Sequence, residues 1–397
     1  MLTTNSLEGY FLTIQRTYEE INTKIRNGKA VIVTAEEIIP IVEEKGIEKA
    51  AEEIDVVTTG TFGPMCSSGA IINFGHSDPP IRMQKVWLND VEAYAGLAAV
   101  DVYIGATQLS ESEGMEYGGA HVIEDLISGK EIKLKALSQG TDCYPRREIE
   151  TYITKESINQ AILFNPRNGY QNYDVAINAS DRKIYTYMGI LLPKMGNANY
   201  STSGQLSPLL NDPKLLTIGI GTRIFLGGAQ GYIVWEGTQF SPQSLKTENG
   251  KTTYKGGTLA VIGNLKEMSP DYIRAAIFKG YGVSLMVGIG IPIPIINSEV
   301  MKYTAVRDED IYTEVIDYSF PRLNKPSLGW VNYKQLREGK ITIQGKDVST
   351  SPLSSYAKAR EIAQKLKEEI LRGKFLIQKP IQKFPKENEF KPLLEIR

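Results

Sequence analysis

From Leu215 to Val300 the chain reads as short apolar runs broken by glycine. Runs of that length suit buried strands better than helices of ten or more residues. The first sixty residues have a different rhythm. Ile14, Tyr18, Ile21 and Ile25 recur at helical spacing, and Gly28 can end that helix. Ala30–Val33 reads as a strand, Thr34 with Glu37 as a capping box for the next helix, and Asp55–Thr59 as a second buried strand. Pro40 falls inside the second helix and is expected to kink it. A last amphipathic helix is marked by Tyr356, Ala359, Ile362, Ala363, Leu366 and Ile370. Glu361–Lys365 and Glu368–Arg372 support it at i,i+4 spacing, and Gly373 can end it. The pattern predicts an α/β (or α+β) fold: mixed sheets with covering helices and long glycine-rich functional loops.

Three stretches break the pattern: Gly60–Pro80, Ser138–Arg147 and Asn197–Pro213. Long irregular segments are disproportionately functional, and these three are expected to converge on one pocket. Ser244–Gly257 is polar and reads as a surface hairpin or loop. Residues 13–385 are expected to form one unit, with a division into two subdomains left open, and 386–397 a surface tail. Pro380, Pro385 and Pro392 indicate a terminal segment that wraps the surface.

Composition narrows the function. The 397 residues carry 45 Lys+Arg against 46 Asp+Glu, for a net charge of −1. Nucleic-acid binding through bulk positive charge is therefore excluded. Two cysteines exclude a disulfide framework, a zinc ribbon and a four-cysteine iron–sulfur centre within one chain. A cluster completed by other residues or another chain stays open. The first residues lack the basic region, apolar core and cleavage site of a signal peptide. The longest uncharged run, Gly280–Ser298, barely reaches bilayer-spanning length and reads as a buried strand running into a loop. A cytoplasmic protein with no membrane or nucleic-acid partner is expected, with homo-oligomer formation left open. No G-x-x-x-x-G-K-[ST] occurs, and Gly219-x-Gly221 and Gly280-x-Gly282 both lack the third glycine of a dinucleotide fingerprint.

Few residues can then do chemistry. Cys66 lies in T-T-G-T-F-G-P-M-C-S-S-G-A, just past a predicted strand. Ser67, Ser68, Gly69 and Ala70 leave backbone N–H groups free to stabilise a thiolate, so a depressed pKa is expected. The alternative is a buried, inert cysteine. Cys143 lies in G-T-D-C-Y-P-R-R-E, where Arg146 and Arg147 can stabilise a thiolate or bind a carboxylate; a solvated turn is the alternative. His76, in N-F-G-H-S-D-P-P, can act as general acid or order its loop. His121 faces the same choice. The spacing of Cys66, His76, His121 and Cys143 matches no common zinc module, and no metal site is expected.

Those two cysteine segments, with N-F-G-H-S-D-P-P, N-Y-S-T-S-G-Q at Asn199–Gln205 and G-G-A-Q-G at Gly227–Gly231, resemble the homocysteine-biosynthesis sulfur-incorporation family. The likeness runs from about Thr13 to about Pro385. It implies a sulfurtransferase that inserts sulfur into L-aspartate semialdehyde to form homocysteine in anaerobes. It maps a sulfur-carrying thiolate onto Cys66 and a second family cysteine onto Cys143. His76 is then the expected acid for water departure, Arg146 or Arg147 the partner of the substrate carboxylate, and Asp78 that of its ammonium. Ser67, Ser68 and Ser203 complete the expected substrate-binding set.

Joining an aldehyde to sulfide to give a thiol consumes two electrons, and starting from a persulfide sulfur consumes four. Two thiols supply two by closing a disulfide and must then be reduced. No intrinsic cofactor signature is visible, so an external electron donor is required. The resemblance points to a small ferredoxin-like electron-transfer protein as partner, beside a sulfide or persulfide donor. A Cys66–Cys143 disulfide step needs Cα atoms within about 7 Å. A persulfide sulfurtransferase for another carbonyl or carrier, or a non-catalytic metabolite-binding protein, are the alternatives.

Overall fold

The computed structural model describes residues 14–168, 172–241, 256–388, 391 and 393. The Thr17 side chain accepts from the Glu20 N–H while the Glu20 carboxylate accepts from the Thr17 N–H, opening helix Tyr18–Arg26. Its buried face carries Ile21 and Ile25. Strand Ile32–Thr34 pairs in parallel with Val56–Thr58, which pairs antiparallel with Pro292–Pro294. Thr34 and Glu37 exchange the expected reciprocal bonds, at 2.7 and 3.2 Å. The helix after them starts only at Ile38. Pro40 therefore sits in the first turn, where an N–H has no intrahelical partner to lose, and the expected kink does not arise. The break falls at Gly46 (φ 79°), which separates Ile38–Lys45 from Ile47–Glu53.

The largest sheet, nine-stranded among the described residues, organises the molecule. Its order is Ile273–Phe278, Gly282–Gly290, Arg223–Leu226, Ala229–Glu236, Leu259–Asn264, Gln160–Asn168, Gly69–Asn73, Asp101–Gly105. The ninth strand, Thr61–Pro64, pairs with Gly282–Gly290. The uncharged run at 280–298 is thus sheet core, and among the described residues no helix is long and apolar enough to cross a membrane. A six-stranded sheet contains Lys85–Leu88, Ile132–Leu137 and Glu148–Ile153. Another contains Val175–Ile177, Ala198–Tyr200 and Lys346–Pro352. The α/β reading with mixed sheets and covering helices therefore holds.

Gly60–Pro80 is not one long loop. It holds strands Thr61–Pro64 and Gly69–Asn73, joined by a tight turn in which the Ser68 N–H donates to the Met65 carbonyl at 3.0 Å. Its glycines mark close packing. A Cβ on Gly60 would lie 2.1 Å from the Ala359 carbonyl oxygen, because helix Tyr356–Leu371 crosses the sheet there. Asn197–Pro213 likewise contains a strand, one 3-10 turn and the short helix Pro208–Asn211, and is largely buried. Ser138–Arg147 is irregular as expected. Residues 244–255 of the expected polar hairpin lie outside the described residues.

The final helix ends as predicted, with Arg372 paired to Glu368 at 3.6 Å and Gly373 at φ 70°. Glu361 pairs with Lys358 and Tyr272 rather than Lys365. The chain then wraps back over the sheet. Asn22 exchanges two hydrogen bonds with the Ile377 backbone, and Gln382 bridges to Ile220. Of the expected tail at 386–397, residues 386–388, 391 and 393 are described, and Asn388 donates to the Phe240 carbonyl.

Candidate active site

Cys66 occupies the turn between Thr61–Pro64 and Gly69–Asn73, half-buried at the wall of a cavity of about 280 Å3. Its Sγ lies 3.1 Å from the Ser284 Oγ, on the fully buried face of Gly282–Gly290. Burial pushes the thiol pKa up, and the Ser284 hydroxyl and a backbone N–H offset this only in part. The depressed pKa expected from loop composition is corrected: the turn sits inside packed sheet, so desolvation outweighs the local donors.

The opposite wall comes from the end of Gln160–Asn168, where a β-bulge between Asn165 and Asn168 re-aims the side chains. Asn165 ties this strand to the cysteine turn. Its Nδ2 donates to the Ser68 Oγ at 2.9 Å, and its Oδ1 accepts from the Ser67 Oγ at 3.1 Å and the Arg167 N–H at 2.8 Å. Ser67 also donates to the Arg167 carbonyl at 2.8 Å. Arg167 and Asn168 both line the cavity, and Arg167 reaches Gln239 through one terminal nitrogen. Arg167 Nε and Asn168 Nδ2 are buried donors with no hydrogen-bond partner among the described residues. Unpaired buried donors are costly.

The rest of the enclosure joins the large sheet to the neighbouring six-stranded sheet. Tyr281 comes from the former, Tyr173 precedes a strand of the latter, and Tyr187 tips the hairpin Ile184–Thr186/Gly189–Leu191. Thr202, also on the wall, holds φ 73°, a region β-branched residues rarely adopt, and donates to the Tyr333 hydroxyl at 2.5 Å. Among the described residues lining the cavity there is no Asp, Glu, His or Lys.

Of the sequence-predicted residues, Cys66 and Ser67 line this cavity. Ser68 and Ser203 stand behind its wall, Ser68 held by Asn165 and Ser203 bonded to Thr61 at 3.3 Å. Cys143, His76, Asp78, Arg146 and Arg147 do not line it. They gather beyond the far end of Gly69–Asn73, a five-residue strand spanning about 13 Å. There the His76 ring stacks on Tyr144 at 6.0 Å. Arg146 donates from Nε to the Pro79 carbonyl and from Nη2 to the Asp78 carbonyl, at 3.0 and 2.8 Å. Arg147 packs on Gly140, and Cys143 is exposed with Sγ 3.5 Å from the Thr141 Oγ1. Two of the three stretches, Gly60–Pro80 and Asn197–Pro213, do meet at the cavity, but Ser138–Arg147 does not line it and packs against the His76–Pro80 segment instead. His121 accepts from the Gly118 N–H at 3.2 Å and starts helix Gly119–Ile127.

Arg167, Asn168, Ser284 and Tyr187 escaped the sequence reading. N-P-R-N at 165–168 was the available signal: a proline, a cation and two amides directly follow an apolar run.

Fold and cavity together define an α/β enzyme with a thiol in its candidate active site. The chain belongs to the family described as homocysteine biosynthesis enzyme, sulfur-incorporation, whose sequence profile matches residues 30–377. It is 55% identical over 380 residues to the L-aspartate semialdehyde sulfurtransferase of Methanosarcina acetivorans, covering 96% of this chain and 74% of that one. It is 55% identical over 379 residues to the protein of the same name from Methanocaldococcus jannaschii, covering 92% and 72%. An uncharacterized protein of Methanothermobacter thermautotrophicus is 30% identical over 314 residues, covering 77% and 68%. No solved structure matches the chain.

Proposed function

We propose that this chain is an L-aspartate semialdehyde sulfurtransferase that works through a Cys66 persulfide and an external electron donor. The observation that carries the reading is the placement of Cys66, Arg167 and Asn168 on the wall of one cavity. A guanidinium beside an amide suits the substrate carboxylate. That assigns the carboxylate to Arg167 and Asn168 in place of Arg146, whose guanidinium is occupied by backbone carbonyls. Ser284 donates to the Cys66 sulfur whenever it carries charge.

The Cys66 thiolate attacks the outer sulfur of a persulfide donor, the donor's thiolate leaves, and the terminal sulfur now on Cys66, more acidic than a thiol, attacks the aldehyde carbon. Overall, the aldehyde, one sulfane sulfur, four protons and four electrons give homocysteine and water. With Cys143 exposed and absent from the cavity wall, the electrons come from outside the chain, from a low-potential carrier such as a small ferredoxin-like protein or a partner thiol.

The test is anaerobic incubation of the protein with aspartate semialdehyde, a persulfide donor and a strong reductant. Homocysteine is expected over many turnovers, and none is expected from Cys66→Ser or without reductant. Full activity in Cys66→Ser would overturn the reading, as would sustained turnover on sulfide alone.

A further inference from the structure

The reaction consumes protons, and among the described residues the cavity wall carries no Asp, Glu, His or Lys to supply them. His76, the acid expected from sequence, stands elsewhere. What the cavity does have is phenol. The Tyr173 hydroxyl donates to the Tyr187 oxygen at 3.0 Å, and the Tyr187 and Tyr318 hydroxyls share a bond at 3.1 Å. Tyr173 and Tyr187 line the cavity. Tyr318 does not, and the Lys325 ammonium lies 5.6 Å from its ring. The rings of Tyr281 and Tyr318 pack edge-on to Tyr187, at 6.1 and 5.8 Å between centroids. The Tyr187 oxygen is thus the centre of a hydroxyl chain with one end at the cavity.

We propose that Tyr187 is the catalytic acid of this site and that Tyr318 is a positioning residue that restores its proton. The inference deepens the reading above and rests on it. As the persulfide sulfur bonds to the aldehyde carbon, the carbonyl π pair moves onto oxygen, and that oxygen takes the Tyr187 proton. The two neighbouring hydroxyls then turn to donate to the phenolate, in the manner of an oxyanion hole. A proton returns through Tyr318, and a second transfer to the same oxygen lets it leave as water with the C–O pair. No electron enters or leaves the protein in these steps. Burial holds the Tyr318 phenol protonated well beyond neutral pH, as the chain requires.

Tyr187→Phe removes one oxygen and keeps the ring. It should lower kcat for homocysteine formation by roughly 100-fold or more, with KM for aspartate semialdehyde within about twofold of the parent. Persulfide loading of Cys66, read by mass spectrometry, should be unchanged. Tyr318→Phe should lower kcat by about tenfold and alter the solvent deuterium effect on kcat, which a packing defect alone would not do. Parent-like kcat in Tyr187→Phe overturns the relay alone. A kcat loss matched by an equal loss of persulfide loading also overturns it. An inert parent protein overturns the sulfurtransferase reading, and the relay with it.

Discussion

The Cys66 thiol is under two opposed influences. Desolvation raises its pKa above the ordinary 9.0, and the Ser284 hydroxyl at 3.1 Å pulls it back. Alkylation by iodoacetamide should therefore keep accelerating above pH 9, and Ser284→Ala should shift the curve further up. A pH–rate profile read by mass spectrometry at Cys66 checks both; labelling at neutral pH faster than a free model thiol would contradict them. Arg167 offers a second residue-scale test. Its backbone, not its side chain, is bonded to Ser67 and Asn165, so Arg167→Met leaves the cysteine turn in place. Losing a charge-assisted bond of about 1.5–3 kcal/mol should raise KM for aspartate semialdehyde roughly 10- to 100-fold, with a smaller change in kcat. An unchanged KM would move the carboxylate site elsewhere.

At the scale of elements, glycines do two jobs that sequence alone does not separate. Gly28 and Gly373 end helices, and both were legible because periodic apolar residues stop just before them. Gly60 and Gly69 look like loop residues beside Ser67 and Ser68, yet Gly60 lets a helix approach the sheet and Gly69 makes room for the Tyr103 side chain of the neighbouring strand. Which job a glycine does depends on a neighbour far along the chain, Ala359 for Gly60 and Tyr103 for Gly69, so Gly60–Pro80 read as irregular. The same limit hid the site. Cys66 stood out by itself, but Ser284 and Arg167 become its neighbours only through strand pairing. Gly60→Ala makes the point testable. A Cβ against the Ala359 carbonyl must displace the Tyr356–Leu371 helix, at a cost of about 3 kcal/mol. The urea midpoint should fall accordingly, whereas Gly28→Ala, with open space around its Cβ, should cost about 1 kcal/mol from its positive φ.

For the whole molecule, the segment after the last helix closes the structure. Phe375 is fully buried and Ile377 nearly so, in the cluster that also holds Ile21, Phe225 and Ile362. Phe375→Ala should cost about 3–5 kcal/mol in urea unfolding. Because the residue is not among those lining the cavity, the protein that remains folded should keep its kcat. The Asn22–Ile377 bonds join positions 355 residues apart. During synthesis the helix Tyr18–Arg26 leaves the ribosome long before the backbone it must hold. Ile21 and Ile25 share their cluster with Ile32, Val56 and Phe62, made soon after them, but also with Phe225, Ile362 and Phe375, so that cluster is complete only near the end of translation. The first helix to be made is thus among the last to be fully seated, once residue 377 arrives.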